Sequence, residues 1–205
     1  MTTRISKTLV KDPLNLVIAG VAGQGNIVIS LLLGNALVNE GYLVMFGQSF
    51  GSNQRGGSVR NYLRISRETM YSPIVPYGHA DIIVSMEPME AMRMLMEFGN
   101  PNVITIVNPR AIASSGKSEY PDLDRLLADI RKASARILIV NATEEALKLG
   151  NPILANIVLV GAMVGAGILP IDKESVAPEL RERFPRAIEL NMRALDRGME
   201  LAEGQ

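Results

Sequence analysis

Two stretches of the chain carry residue types and spacings suited to holding an anion or a closely packed partner. In the first, Gly20, Gly23 and Gly25 stand in the order GVAGQGN, between an apolar run and a helix-like segment. Backbone N–H groups at the start of a helix attract phosphate or carboxylate, and glycine lets a ligand approach the backbone. The spacing is GxxGxG, not the GxGxxG of dinucleotide-binding folds, and the next apolar run ends in Phe46, Gly47, Gln48 and Ser49 with no acidic residue to hold a ribose. Bound NAD or FAD is therefore disfavoured. A tight turn allowing close helix–strand packing is the plainer reading of Gly23, Gln24 and Gly25, and a different anion, such as part of coenzyme A, is the other.

The second stretch, GQSFGSNQRGGSVRNYLRI, runs from Gly47 to Ile65 and sets glycines, amides and arginines between two apolar segments, with no Asp, Glu, His, Lys or Cys to act as general acid, base or thiolate nucleophile. Arg55 can make paired hydrogen bonds to a carboxylate or phosphate, and Gly51, Gly56 and Gly57 allow close backbone approach beside Gln54. One Arg-Gly-Gly in a neutral chain with few aromatics does not signal RNA binding. His79, the one histidine, reads as a loop or capping residue. Glu87 and Glu90, in EPME, suit a helix start through the helix dipole. Glu87 and Asn108 also stand at the ends of predicted strands, where ligands or partners of a parallel sheet gather, so both join the candidate set. The methionines at 86, 89, 92, 94 and 96 read as adaptable core or adaptable interface, with Met89, Met92 and Met96 on one helical face.

The elements that would position these residues follow from the apolar pattern. Leu14 to Gly20 reads as a buried strand, the glycine turn follows, and a helix apolar on nearly every side runs to a stop at Gly41. Tyr42 to Gly47 reads as the next strand, completing a right-handed βαβ unit. Ser58 to Ile65 alternates and predicts a half-exposed hairpin that turns at SRE. Further buried strands are expected at Asp81 to Met86, Asn102 to Asn108 and Ala135 to Asn141, with helices between them. Strand alternating with helix implies a three-layer α/β/α, mainly parallel or mixed, Rossmann-like sheet. The last third is expected to be helical, over 156–167, 173–183 and 186–202.

Composition bounds the reading. At 205 residues, with 47% hydrophobic and 20% charged, the chain suits one folded domain with a large core, and no repeat or composition shift marks a second. Lys+Arg and Asp+Glu both total 21, so no global field draws nucleic acid or an anionic membrane. With no cysteine, iron–sulfur, zinc–thiolate and thiolate chemistry cannot be housed in this chain. The N-terminus lacks the apolar run of a signal peptide, so a cytoplasmic location is expected. Pro152 to Ile171 has no charge and a small-xxx-small pattern, Gly161 and Gly165; with Asn156 inside and a proline near each end it reads as a buried helix closely packed against a sheet or partner.

Several segments, taken in order, resemble a known family. VAGQGN, SNQRGGSV, YSPIVPYGHADIIVSMEPMEAMR, VNP and LGNPILANIVLVGA are similar to the gamma-type domain of 2-oxoacid:ferredoxin oxidoreductases, in the variety found as the small subunit of the indolepyruvate enzymes. The resemblance implies a part of a complex that oxidatively decarboxylates a 2-oxoacid to acyl-CoA and passes electrons to ferredoxin. It implies that thiamine diphosphate, its magnesium and the iron–sulfur clusters lie in large partner subunits, with coenzyme A as co-substrate. It assigns Gly51, Gln54, Arg55, Gly56 and Gly57 to an interface and substrate-approach loop, with no catalytic residue in this chain. The chain departs from the family pattern at Ala22, Phe50 and Ser52, which bears on the choice of 2-oxoacid. A freestanding nucleotide- or CoA-binding protein is the rival reading.

Overall fold

The computed structural model describes residues 8–50, 57–112 and 119–203. One mixed sheet of six strands lies between two helical layers. In chain order the strands are β1 (Leu14–Val21), β2 (Leu43–Phe50), β3 (Ser58–Ser66), β4 (Ile82–Ser85), β5 (Ile104–Val107) and β6 (Arg136–Ile139). The helices are α1 (Asn26–Asn39), α2 (Pro88–Phe98), α3 (Leu123–Lys132), α4 (Ala142–Lys148), α5 (Ala155–Gly165), α6 (Lys173–Arg183) and α7 (Ile188–Glu203).

The sheet order is β2-β3-β1-β4-β5-β6. β3 runs antiparallel to both β2 and β1, whereas β1, β4, β5 and β6 pair in parallel. This corrects two expectations. β1 and β2 run in the same direction but are not neighbours, because β3 is inserted between them. Nor is Ser58–Ile65 half of an exposed hairpin with the residues after it: it is an internal strand with Asn61, Tyr62, Leu63 and Ile65 buried. Its alternation is real, but its second face is covered. There Tyr62 meets Phe98 edge-on with ring centroids 5.6 Å apart, and the Arg64 guanidinium stacks 4.8 Å from the Tyr71 ring.

Alternate residues of each strand feed two cores. Leu16, Ile18, Leu63, Val84, Ile106 and Leu138 face the larger one, built with α1 and α4 to α7. Val17, Ala19, Ile83 and Val107 face the smaller one, built with α2 and α3. The α1 stripe is broad but not complete, since Ile27 is 46% and Val38 53% exposed. The methionines divide: Met86 and Met94 are buried, Met89 and Met92 pack on the smaller core and Met96 is 81% exposed.

The uncharged stretch becomes α5, buried along nearly its whole length. No helix among the described residues is long and apolar enough to cross a membrane. Its glycines do mark a close approach, to α7 of the same chain and not to the sheet.

Candidate functional site

α1 leaves β1 over one face of the sheet and α2 leaves β4 over the other. The chain therefore diverges between two adjacent parallel strands, and such a switch point opens a crevice at the carboxyl edge. Four candidate residues are placed there: Gly23, Gln24 and Gly25 after β1, and Glu87 after β4. Asn108 follows β5, one strand further on.

Two side-chain amides bind these strand ends to one carbonyl. Gln24 accepts a hydrogen bond from Val21 N at Oε1 (2.7 Å) and donates from Nε2 to the Met86 carbonyl (3.2 Å). Asn108 Nδ2 donates to the same carbonyl (3.1 Å) and to Thr143 Oγ1 (2.9 Å), while its Oδ1 accepts from Thr143 N (3.2 Å). Both ends of each amide are engaged, so Gln24 and Asn108 build the floor of the edge and do not project from it. Each bond contributes modestly, about 1 kcal/mol, but an unpaired buried amide would cost more.

The glycines have local reasons. Gly23 and Gly25 sit at φ 101° and 86°, the left-handed region that glycine enters without penalty. A Cβ on Gly25 would also lie 2.5 Å from Asn156 Nδ2. Beneath the turn is a buried polar seat: Asn61 Nδ2 donates to Ser30 Oγ (2.8 Å), and Ser30 Oγ donates to the Asn26 carbonyl (3.0 Å). Asn26 Oδ1 and Asn61 Oδ1 have no donor among the described residues. Close packing accounts for Gly23 and Gly25, but not for the two acceptors left without a donor among the described residues.

Glu87 and Glu90 do more than face a helix dipole. Glu87 is 1% and Glu90 3% exposed. Glu87 caps α2, its Oε2 accepting from Glu90 N (2.9 Å), and its Oε1 accepts from the Tyr120 hydroxyl and, at 3.5 Å, from Ile112 N. Glu90 accepts from the Ser58 hydroxyl and pairs with Arg93. Burial pushes the Glu87 carboxyl up from its ordinary value of 4.5, with the Glu90 charge adding to the rise, against the lowering effect of its hydrogen bonds to Tyr120, Glu90 N and Ile112 N. Burial and the Glu87 carboxylate push the Tyr120 hydroxyl up as well.

A carboxyl whose folded pKa is raised contributes stability below its unfolded value, and that contribution is lost as pH rises through the folded value. Glu87→Gln is therefore expected to flatten the decline in stability above pH 4.5. Denaturant midpoints measured across that range check it. Equal slopes for the two proteins would contradict it.

Gly57 lies beside the glycine turn, its carbonyl accepting from Ala22 N (2.9 Å). Gly51, Gln54, Arg55 and Gly56 fall outside the described residues. His79 is an exposed loop residue, as expected, with its N–H directed to the Pro76 carbonyl (3.2 Å). Sequence reasoning missed Ser58, Tyr120 and Thr143, whose roles come from contacts with residues 32, 33 and 35 positions away. The signal for Glu90 was present in EPME; Tyr120 had none. On the α2 face a hollow of about 340 Å³ is lined by Gln48, Arg60, Tyr62, Tyr77 and Phe98 among others.

The sequence matches the family model for pyruvate ferredoxin/flavodoxin oxidoreductase over residues 15–201. An indolepyruvate oxidoreductase subunit IorB from Archaeoglobus fulgidus is 36% identical over 194 residues, 92% of this chain and 95% of that protein. Among solved structures, pyruvate oxidoreductase subunit PORC from Thermotoga maritima superposes with a TM-score of 0.69 at 25% identity, covering 93% of this chain and 97% of that one. A 2-oxoglutarate:ferredoxin oxidoreductase from Magnetococcus marinus, solved with 2-oxoglutarate, coenzyme A and succinyl-CoA bound, shares the fold with a TM-score of 0.76 at 19% identity. That match covers 95% of this chain but 32% of the longer one.

Proposed function

This chain belongs to the pyruvate ferredoxin/flavodoxin oxidoreductase family, and on that premise we propose that it is the small subunit of a complex acting on an aryl pyruvate such as indolepyruvate. It is a subunit of a 2-oxoacid:ferredoxin oxidoreductase, and the freestanding nucleotide- or CoA-binding reading is not favoured. The observation that carries the aryl pyruvate is the 36% identity with the Archaeoglobus indolepyruvate oxidoreductase subunit, which spans almost the full length of both proteins.

The reaction is the oxidative decarboxylation of the 2-oxoacid: the bond to the carboxylate breaks, CO2 leaves, the acyl group passes to the sulfur of coenzyme A with release of the thiol proton, and the two electrons pass one at a time to ferredoxin. Thiamine diphosphate supplies the carbanion chemistry in such an enzyme. The residues of this chain do not suit an iron–sulfur cluster. No group of three or more His, Cys, Asp or Glu among the described residues is placed to hold a metal, and a chain without cysteine lacks the thiolates of a cluster. We therefore assign thiamine diphosphate, magnesium and the clusters to larger partner subunits. The work left to this chain is to shape the edge where the partner, the 2-oxoacid and coenzyme A meet. Gly23, Gln24, Gly25 and Gly57 belong to that edge, and Gly51, Gln54, Arg55 and Gly56 are assigned to the same role on the strength of the family resemblance alone.

The test is a substrate panel on the assembled complex, with CoA-dependent reduction of ferredoxin as the readout. Indolepyruvate and phenylpyruvate are expected to show kcat/KM at least about tenfold above 2-ketoisovalerate, pyruvate and 2-oxoglutarate, the discrimination that a pocket shaped for a ring can supply. A preference for a short or acidic 2-oxoacid would overturn the aryl-pyruvate proposal while leaving the family membership intact.

A further inference from the structure

The first turn of α2 buries two carboxylates where helix capping needs only one oxygen. Glu87 Oε2 meets that need through Glu90 N. Asp122 does the same for α3 from an exposed position, accepting from Arg125 N at 2.8 Å. Three carboxylate oxygens of the Glu87–Glu90 pair are left, and two of them reach chain far away in sequence. Glu90 Oε2 takes the Ser58 hydroxyl, while Glu87 Oε1 takes the Tyr120 hydroxyl and Ile112 N.

The contacts converge on the carboxyl edge from both sides of α2. Ser58 stands opposite Val21 in the β1–β3 register, next to Gly57, whose carbonyl holds Ala22 N. Glu90 thus fixes the start of β3 against the Gly20–Gly25 turn. Ile112 and Tyr120 belong to the chain between β5 and α3, and Glu87 ties both to the end of β4. Burying two neighbouring carboxylates is a poor way to gain stability, because apolar side chains of like volume do as well or better; such groups are worth keeping where they specify geometry.

We propose that Glu87 and Glu90 are positioning residues of the complex, fixing from the first turn of α2 the start of β3 at Ser58 and the described residues Ile112 and Tyr120, beside the edge presented to the partner subunit and its 2-oxoacid. This inference rests on the subunit reading. Neither carboxylate touches a reacting atom in this role; each acts through Ser58 or Tyr120.

The test uses the whole complex, produced with wild-type chain, Ser58→Ala, Ser58→Thr, Tyr120→Phe, Glu90→Gln and the double variant Glu90→Gln/Ser58→Ala. Assembly is read first, and steady-state kinetics with indolepyruvate second. Ser58→Ala and Tyr120→Phe each remove one hydroxyl donor to a charged acceptor and are expected to raise KM about tenfold with kcat within about twofold. Ser58→Thr keeps the hydroxyl and is expected to stay near wild type. The double variant is expected to be no worse than its worse single. If Glu90→Gln is not recovered in the complex, the Ser58→Ala and Ser58→Thr pair decides alone.

Wild-type KM and kcat in assembled Ser58→Ala and Tyr120→Phe complexes would overturn the proposal. So would a fall in kcat at unchanged KM, or a Ser58→Thr complex as impaired as Ser58→Ala. A wild-type chain that fails to assemble with any thiamine-bearing partner defeats the subunit reading itself, which is a different failure.

Discussion

Gly198→Ala is expected to lower stability by about 3 kcal/mol or more, making the most severe backbone clash of any glycine-to-alanine change in the described helices. A Cβ at Gly198 would stand 2.0 Å from the Val158 carbonyl oxygen and 2.9 Å from Ala162 N. On the facing helix, a Cβ at Gly161 would stand 2.1 Å from the Leu195 carbonyl oxygen, and one at Gly165 would stand 2.6 Å from the Met199 carbonyl oxygen. These obstacles are backbone atoms, so no rotamer change relieves them. Separating α5 from α7 would open the larger core around Val158, Ala162, Ala194 and Leu195. The control is Gly34→Ala in α1, where the new Cβ would find only Leu63 and Val44 side-chain atoms at 3.7 and 3.9 Å. Alanine's helix propensity should make that change neutral or stabilising by up to about 1 kcal/mol. Denaturant midpoints of the two variants, compared with wild type, check the pair. A Gly198→Ala protein within error of wild type would show that the helices do not cross as closely as described.

Gly25→Ala is the second large effect, and it falls on the candidate edge. Alanine at φ 86° carries a left-handed penalty of about 1–2 kcal/mol. Its Cβ would also press on Asn156 Nδ2 at 2.5 Å. That clash is with a side chain, so it can be relieved. The expected loss is about 2–3 kcal/mol for Gly25→Ala, and Gly25→Ala/Asn156→Ala should be less damaged than the sum of its two singles. Denaturation of the four proteins of this cycle measures the coupling. Strict additivity would mean that Gly25 is kept for its backbone angle alone. The same substitution displaces the turn that carries Gln24, so loss of the Met86 carbonyl contact should appear as weaker assembly with the partner subunit.

The order of elements was legible because apolar runs, glycine stops and helix caps are local. α6 falls at Lys173–Arg183, as expected, because Asp172 and Ser175 form a reciprocal cap that residue types announce. The sheet order was not legible. The alternation of Ser58–Ile65 tells which side chains share a face, but it cannot tell that β3 enters between β1 and β2, since pairing partners are chosen by non-local hydrogen bonds. The same limit hid the object packed against Gly161: small residues announce close approach, and only the fold shows that α7 makes it.

At the candidate edge the turn at Gly23–Gly25 was readable, and so was the clustering of strand ends. What Gln24 and Asn108 do there was not, because a side-chain amide serves equally well facing a ligand or pinning a carbonyl; here both pin Met86. Glu87 and Glu90 were undervalued for a related reason. Acidic residues at a helix start are usually solvated, and burial to 1% and 3% depends on what Ser58 and Tyr120 bring over them.

Gentle, anaerobic purification of the tagged chain from its native host, with identification of the chains that accompany it and assay of iron and thiamine diphosphate in the same fraction, decides whether it works as a subunit. The subunit account predicts stoichiometric co-elution with a larger, cysteine-bearing chain together with iron and thiamine diphosphate. A chain that repeatedly elutes alone, free of both cofactors but saturably binding coenzyme A or a nucleotide, would contradict it.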